Sequence, residues 1–282
     1  NASYDAASNA AVPYGPLTIV STLAWGLGYF GMPHILLRFM AIENEQKLTT
    51  SRRVATVWVV ISMFIAVLIG MVGLGMTNVG ALPVLEGSAS ETVIVQISSL
   101  MAEHGVLLAL AAGVTLAGIL AATMSTADSQ LLAASSSVSK DLMWGVFKVK
   151  MTEKQSMLIA RSTLLVIAAI AIILARDPDS SVFKIVSFAW AGFGAAFGPV
   201  VLFALFWKRA NKWGALCGMI SGGVLVFVWK FLVRPLGGAF DLYELLPAFL
   251  LNCVVLVVVS LLTAPPEKKI VDTFEEYRAM GK

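Results

Sequence analysis

The feature that most restricts how this sequence can fold is a series of long apolar runs. A helix of about 20 mostly apolar residues crosses the hydrocarbon core of a bilayer. Seven runs reach this length, and they cover residues 17–42, 54–75, 105–138, 157–175, 182–207, 212–233 and 245–263. Charged residues make up 13% of the chain, whereas soluble domains carry about 25%. The sequence therefore predicts an all-α polytopic membrane protein.

Basic residues predict how these runs cross the membrane, because cytoplasmic loops are enriched in Lys and Arg. Most of the 20 Lys and Arg residues fall in the loops after the first, third and fifth runs and in the charged tail, residues 264–282. We therefore expect a multi-pass protein of the plasma membrane, with the N-terminal segment 1–16 outside the cell and the tail in the cytoplasm. An odd number of runs with an outer N-terminus and no signal-peptide pattern predicts further helices before Asn1.

Several functional classes lack their usual motifs in this sequence. It contains no phosphate-binding loop, no zinc-ligand spacing, no catalytic triad and no basic patch for nucleic acid. We therefore expect neither an enzyme nor a nucleic-acid-binding protein, and no bound cofactor. The partner expected from composition is membrane lipid.

The first run contains helix-breaking residues at its centre, in the sequence GYFGMPH. A turn that leaves the helix inside a membrane needs other partners for its backbone groups, and secondary transporters use such turns to bind substrate and ions. A plain kink is the simpler interpretation of Pro33. However, Gly28 and Gly31 accompany the proline, and Trp25 and Tyr29 precede it at intervals of four residues, near one face of a helix. The cluster therefore favours a substrate-binding break.

Three segments then make the sequence recognisable. AWGLGYFGMPHILLRFMAI resembles the signature of the sodium/solute symporter family, and most closely that of its proline symporters. ATMSTADSQLLAASSSVSKDL resembles the family's sodium-site helix, and FAWAGFGAAFGPVVLFALFWKRANKWGALCGMISG resembles a late-helix segment of the proline symporters. Met32 departs from the signature, in which glutamine is usual at this position, and this departure leaves the substrate selectivity open.

The resemblance implies a leucine-transporter-like fold, in which two five-helix repeats are inverted relative to each other. Residues 17–207 would form the second repeat, with the broken helix over 17–42 and the sodium-site helix over 105–138. Residues 208–263 would form two additional transmembrane helices. The first repeat would precede this chain and would supply the remaining sodium ligands.

Adjacent small hydroxyl side chains mark the third run, in the stretch AATMSTADS. The hydroxyls of Ser125 and Thr126 and the carbonyl oxygen of Ala122 can supply three oxygen ligands from one helix. Hard cations prefer oxygen ligands, and a site without a carboxylate can release its ion. Close helix packing is the alternative, because small residues let membrane helices approach one another. The resemblance favours the sodium site.

An acidic residue follows these hydroxyls on the same run. Such residues in or near a membrane are costly and usually functional. Asp128, with Ser129 beside it, can guide sodium toward the inner exit. It can also pair near the cytoplasmic end with Lys140 or a loop arginine, and the sequence favours neither interpretation.

The fifth run would help to form the outer gate in the implied fold. Trp190 and Phe193 are its candidate gate residues, and core packing is an equally good interpretation of both.

The function implied by the resemblance is sodium-coupled import of a small amino acid, L-proline above all, by alternating access. Trp25 and Tyr29 would offer aromatic surface to the substrate, and the backbone around Gly28, Gly31 and Pro33 would bind its polar atoms. The alternatives are a symporter of the same family for another osmolyte, pantothenate or a carboxylate, and a membrane sensor or scaffold that does not transport.

Overall fold

The structure is a computed structural model of the 282-residue chain, and it describes residues 2–5, 10–44, 46–176 and 181–280. The chain divides into two compact units. The first unit combines residues 1–40 with residues 183–282, and the second unit contains residues 41–182.

Helices make up most of the described chain. In chain order they are α1 (Pro16–Ala24), α2 (Pro33–Met40), α3 (Gln46–Asn78), α4 (Val93–Ala102), α5 (Val106–Ser136), α6 (Glu153–Leu174), α7 (Val182–Phe206), α8 (Lys212–Val228), α9 (Leu245–Leu262) and α10 (Lys268–Met280). Segments with 3₁₀ or π geometry cover Trp25–Gly31, Gly87–Thr92, Ser137–Val146, Trp229–Val233, Arg234–Leu236 and Gly238–Phe240. Before α1, the strands β1 (Ala2–Asp5) and β2 (Ala10–Pro13) pair as a small antiparallel hairpin.

Six helices of the described chain are long and apolar enough to span a membrane, which confirms the all-α polytopic class. They cover Gln46–Asn78, Val106–Met143, Glu153–Leu174, Val182–Phe206, Lys212–Leu236 and Leu245–Leu262. These six correspond to the second through seventh apolar runs of the sequence. The first run, residues 17–42, does not form one long helix, because its α-helix stops at Ala24 and resumes at Pro33.

The close contact between α8 and α9 depends on glycines spaced four residues apart. Gly214, Gly218 and Gly222 lie buried along one side of α8. A Cβ atom at Gly214 would overlap the hydroxyl of Ser260, and one at Gly218 would overlap the amide oxygen of Asn252. Lipid supplies little hydrophobic driving force between membrane helices, so their association depends on close packing of this kind.

A buried amide of α9 repairs a defect in α7. Pro199 lies inside α7 and has no N–H, so the carbonyl of Ala195 lacks its helical donor. The side chain of Asn252, which is fully buried, donates from Nδ2 to the carbonyls of Ala195 at 2.6 Å and Ala196 at 2.9 Å. This amide therefore ties α9 to α7 at the point where the proline weakens the helix.

The apolar core of the first unit lies where α1, α7, α8 and α9 meet. Its buried members are Ala24, Ala191, Ala195, Val226, Tyr243, Leu245, Ala248 and Phe249. Trp25 and Leu27 of the segment that interrupts the first apolar run pack against this core.

Candidate functional site

The interruption of the first apolar run is the centre of the candidate site in the first unit. The α-helix ends at Ala24, a 3₁₀ segment covers Trp25–Gly31, and Met32 is extended with φ −81° and ψ 114°. The next helix begins at Pro33, where a missing N–H leaves no intrahelical bond unmade. The predicted break in the α-helix is therefore present. The departure from α-helical geometry starts at Trp25, continues in 3₁₀ form to Gly31, and is completed by the extended residue Met32.

Glycines in the interruption allow the backbone of α7 to approach closely. A Cβ atom at Gly28 would overlap the indole nitrogen of Trp190, and one at Gly31 would overlap the carbonyl of Phe193. From the other side, a Cβ atom at Gly194 would lie 2.6 Å from the Cα of Gly28. Gly28 and Gly31 therefore hold the interrupted segment against the helix that carries both predicted gate residues.

An aromatic cluster surrounds the start of the 3₁₀ segment. The half-buried ring of Trp25 stacks on Phe183, Trp190 and Tyr243, with centroid distances of 5.4, 5.6 and 5.9 Å. The indole N–H of Trp190 donates to the carbonyl of Trp25 at 3.0 Å. Trp190 thus satisfies a carbonyl at the point where the α-helix ends and holds the Trp25 ring in place.

Tyr29 is the most accessible of the predicted aromatic substrate residues. Its ring meets Trp190 edge to face, with the centroids 4.8 Å apart, and the residue is 52% exposed. Phe193, the second predicted gate residue, stacks on Phe197 at 6.2 Å and is also exposed. The structure therefore brings Trp25, Tyr29 and Trp190 into one cluster, while Phe193 lies at its edge.

Tyr243 belongs to this cluster and was not predicted from the sequence. Its backbone N–H donates to Ser21 Oγ of α1 at 3.0 Å, and its hydroxyl donates to the carbonyl of Ser187 in α7 at 2.6 Å. Burial raises the pKa of the Tyr243 phenol, the neighbouring Glu244 carboxylate raises it further, and the Arg234 guanidinium lowers it. Tyr243 therefore joins α1 and α7 across the Trp25 ring as a neutral hydrogen-bond donor.

Glu244 is a fully buried carboxylate next to this tyrosine. Arg234 donates to it from Nη1 at 3.1 Å, and Lys230 Nζ lies 3.4 Å from its other oxygen. Arg234 also pairs with Asp241 at 2.9 Å. A signal for this cluster was present in the sequence, since an acid directly precedes the last apolar run and two basic residues lie 10 and 14 positions before it.

The candidate sodium ligands lie in the second unit, on α5. The hydroxyl of Thr126 donates to the carbonyl oxygen of Ala122 at 3.2 Å, and the hydroxyl of Ser129 donates to the carbonyl of Ser125 at 2.9 Å. Thr115 and Thr123 of α5 make the same bond to the carbonyls of Ala111 and Ile119, so the bond from Thr126 is the ordinary side-chain hydrogen bond of a helical threonine.

Ala122, Ser125, Thr126 and Asp128 are all exposed in the second unit. This exposure gives the packing interpretation of the hydroxyls no support within the second unit. Among the described residues, no Lys or Arg lies within 4.0 Å of the Asp128 carboxylate, so the predicted pair with Lys140 is not formed. No cluster of three His, Cys, Asp or Glu side chains in the described ranges could hold a metal ion.

Comparisons with known proteins identify where this chain is similar to others. The model of the sodium:solute symporter family matches residues 5–222. The chain is 42% identical over 267 residues to a sodium/proline symporter of Haemophilus influenzae, covering 93% of this chain and 51% of that protein. It is 39% identical over 252 residues to the osmoregulated proline transporter OpuE of Bacillus subtilis, covering 89% of this chain and 49% of the relative.

A sodium/proline symporter of Escherichia coli is 39% identical over 263 residues, covering 92% of this chain and 50% of its own length. The chain thus spans about half the length of the curated relatives it matches. No solved structure matches it.

Proposed function

The chain belongs to the sodium:solute symporter family, and from this premise we propose that it serves in sodium-coupled import of L-proline across the plasma membrane. The names of its relatives at about 40% identity support this substrate and this ion. The observation that carries the proposal is the interrupted helix, in which an aromatic cluster surrounds backbone that has left α-helical geometry.

Substrate binds at this interruption. The exposed ring of Tyr29 offers an apolar face to the pyrrolidine ring, and Trp25 fixes the neighbouring wall through its stacking contacts. The N-terminus of α2 directly follows the extended residue Met32 and carries partial positive charge, which suits the substrate carboxylate. Gly28, Gly31 and Pro33 shape this backbone and are part of the same proposed site.

Sodium binds to the oxygens of Ala122, Ser125 and Thr126 on α5. Neutral oxygen ligands give a site that is weak enough to release its ion, which a coupling ion requires. Asp128 and Ser129 lie about one turn further along α5, and they provide a polar path from the site toward the membrane surface. The remaining ligands belong to helices outside this chain, in the first inverted repeat of a leucine-transporter-like fold.

The transport cycle follows from these two sites by alternating access. Sodium binding stabilises the outward-open state, and substrate then closes the outer gate, which includes Trp190 and Phe193. Release occurs on the cytoplasmic side, where the tail 264–282 lies, while residues 1–16 lie outside. Residues 17–207 act as the second repeat, and 208–263 are two additional helices that support it.

The test is uptake of labelled L-proline by the full-length protein in proteoliposomes with an imposed sodium gradient. We expect uptake to require the gradient and to be abolished by excess unlabelled L-proline. Glycine betaine, pantothenate and acetate serve as competitors for the alternative substrates of the family. Uptake that does not depend on the sodium gradient would contradict the coupling. If one of the other solutes competes more strongly than unlabelled proline, that solute and not proline is the substrate.

A further inference from the structure

A cavity at one end of the first unit is not used by the transport proposal. It has a volume of about 620 Å³ and lies where α7 ends, α8 begins and α10 packs against them. Its walls are largely apolar, with Leu205 and Leu256 on one side and Ile270 and Phe274 of α10 on the other. A cavity with such walls accepts hydrocarbon more readily than a polar solute.

The ionised side chains that line this cavity are all basic. Lys208, Lys212 and Lys269 are exposed and line the cavity, whereas none of the lining residues in the described chain carries a carboxylate. Lys208 pairs with Glu275 at 3.4 Å. Within the described ranges, no carboxylate lies within 4.0 Å of Lys212 or Lys269. The opening therefore attracts an anionic group.

The residues around the opening indicate its depth in the membrane. Trp207 and Tyr277 line the cavity, and Trp213 is exposed beside it. Trp and Tyr are enriched at the level of lipid headgroups, and Lys and Arg near helix ends reach toward the same level. The cavity therefore extends from headgroup depth into the hydrocarbon region.

The opening is held in shape by hydrogen bonds rather than by the lysines. Asn211 caps α8 by accepting from the N–H of Gly214 at 2.9 Å, and it donates to Thr263 Oγ1 and to the carbonyl of Ala264, both at 2.8 Å. Arg209 donates to the carbonyl of Thr263 at 2.8 Å. Lys212 and Lys269 are not needed for this framework, so they remain available to a ligand.

From the apolar walls, the unpaired lysines and the headgroup depth together, we propose that this cavity binds an anionic phospholipid. One acyl chain occupies the space between α7, α9 and α10, and the phosphate binds between Lys212 and Lys269. In the orientation proposed above this lipid belongs to the inner leaflet. The site requires only that the chain spans a membrane, and it does not depend on which solute is transported.

The experiment is native mass spectrometry of the full-length protein, purified in detergent and titrated with palmitoyl-oleoyl phosphatidylglycerol. Phosphatidylethanolamine with the same acyl chains tests the charge, and glycerol 3-phosphate tests the headgroup alone. We expect tighter binding of phosphatidylglycerol than of phosphatidylethanolamine, and no competition from glycerol 3-phosphate at matched concentration. The double variant Lys212→Gln/Lys269→Gln should bind phosphatidylglycerol about 25-fold more weakly, about fivefold for each lysine.

A matched control removes the same charge elsewhere. Lys150→Gln/Lys154→Gln changes two exposed lysines of the second unit that do not line the cavity, and it should bind phosphatidylglycerol like the wild type. Ala204→Phe fills the cavity without changing its charge, and it should lower the affinity for both lipids. If the double variant does not fold, Ala204→Phe decides the question alone.

Three results would overturn the proposal. Equal affinity for the two lipids would remove the role of the lysines. Full competition by glycerol 3-phosphate would indicate a site for a free anion. A wild-type protein that retains no lipid would indicate that another part of the full-length chain occupies the cavity.

Discussion

The two units differ in how much of their membrane-spanning surface they bury by themselves. In α7, α8 and α9 of the first unit, 28%, 17% and 33% of the most apolar stretch is buried, compared with 6%, 6% and 0% in α3, α5 and α6 of the second. The spanning helices of the second unit are on average at least as apolar as those of the first. The difference therefore comes from residues that allow close contact, which are the glycines of α8 and the polar side chains of α9.

This difference separates two uses of small and polar residues in a membrane. In the first unit, Gly218 and Asn252 are buried in the contact between α8 and α9. Asn252 also hydrogen-bonds α7, and α7 carries the Trp190 ring on which Trp25 stacks. In the second unit, Ser125 and Thr126 are exposed on α5. We therefore expect substitutions in the first group to affect folding, and substitutions in the second group to affect ion binding.

The largest effect is expected from a bulky residue in the contact between α8 and α9. Gly218→Leu forces a side chain into space occupied by Asn252 and Leu256, and should lower the free energy of unfolding by about 3 kcal/mol. Gly113→Leu in α5 is the matched control, because a Cβ atom there meets nothing within 4 Å. The stability of the two variants is compared by thermal unfolding and by the yield of monodisperse full-length protein. Equal losses in the two variants would remove the distinction between the units.

The next effect concerns substrate affinity at the interrupted helix. Tyr29→Ala and Trp25→Ala each remove aromatic contact with the proposed substrate. We expect a loss of about 1–3 kcal/mol of binding free energy, which corresponds to a KM for proline raised about 5- to 150-fold. Trp25→Ala should also reduce thermal stability, because Trp25 stacks on three rings, whereas Tyr29 is exposed. Uptake kinetics at equal expression, together with melting curves, distinguish the two. Unchanged KM in both variants would exclude the substrate site.

A specific effect on the ion dependence of uptake, without a loss of stability, is expected in α5. Ser125→Ala and Thr126→Ala each remove one neutral oxygen ligand, so the sodium concentration for half-maximal uptake should rise about tenfold, and added sodium should partly restore proline affinity. Thr126→Ser keeps the hydroxyl and is the control, with a far milder effect. The melting temperature should not change. Loss of folded protein with a wild-type sodium dependence would favour helix packing over ion binding.

The smallest effect is expected from one hydroxyl of the aromatic cluster. Tyr243→Phe removes the hydrogen bond to the carbonyl of Ser187 and should cost about 1 kcal/mol of unfolding free energy. Tyr277→Phe, at a half-exposed position, should be neutral. Because the pKa of Tyr243 is raised by burial, its stabilising contribution is complete below pH 10 and declines as the pH rises above that value. Wild type should therefore lose stability in alkali more steeply than Tyr243→Phe, and parallel pH profiles would contradict this.

Features that depend on local sequence could be predicted here. The apolar runs gave six of the spanning helices, since length and hydropathy alone determine whether a helix can cross a bilayer. The cluster of Gly28, Gly31 and Pro33 gave the interruption of the first run, because these residues disfavour a continuous α-helix.

Features that depend on distant contacts could not be predicted. Tyr243 is 222 residues from Ser21, and neither residue carries a local signal for their hydrogen bond. Asn252 lies within an apolar run of the sequence. Its hydrogen bond to the carbonyl of Ala195, which Pro199 leaves without a helical donor, depends on the packing of α9 against α7. The early start of the 3₁₀ segment at Trp25 also has a distant cause, because the Trp190 indole stabilises the carbonyl there.

The buried ion cluster of Glu244, Lys230 and Arg234 has a consequence for how this protein is made. The ribosome completes α8 and the two cations that follow it before it adds the carboxylate that neutralises them. A charged side chain is costly in the bilayer, and in the orientation proposed above these cations lie on the outer side, where they oppose the usual topology signal. We therefore expect α8 to remain at the translocon until Glu244 has been synthesised, so that α8 and α9 enter the lipid together as a helical hairpin.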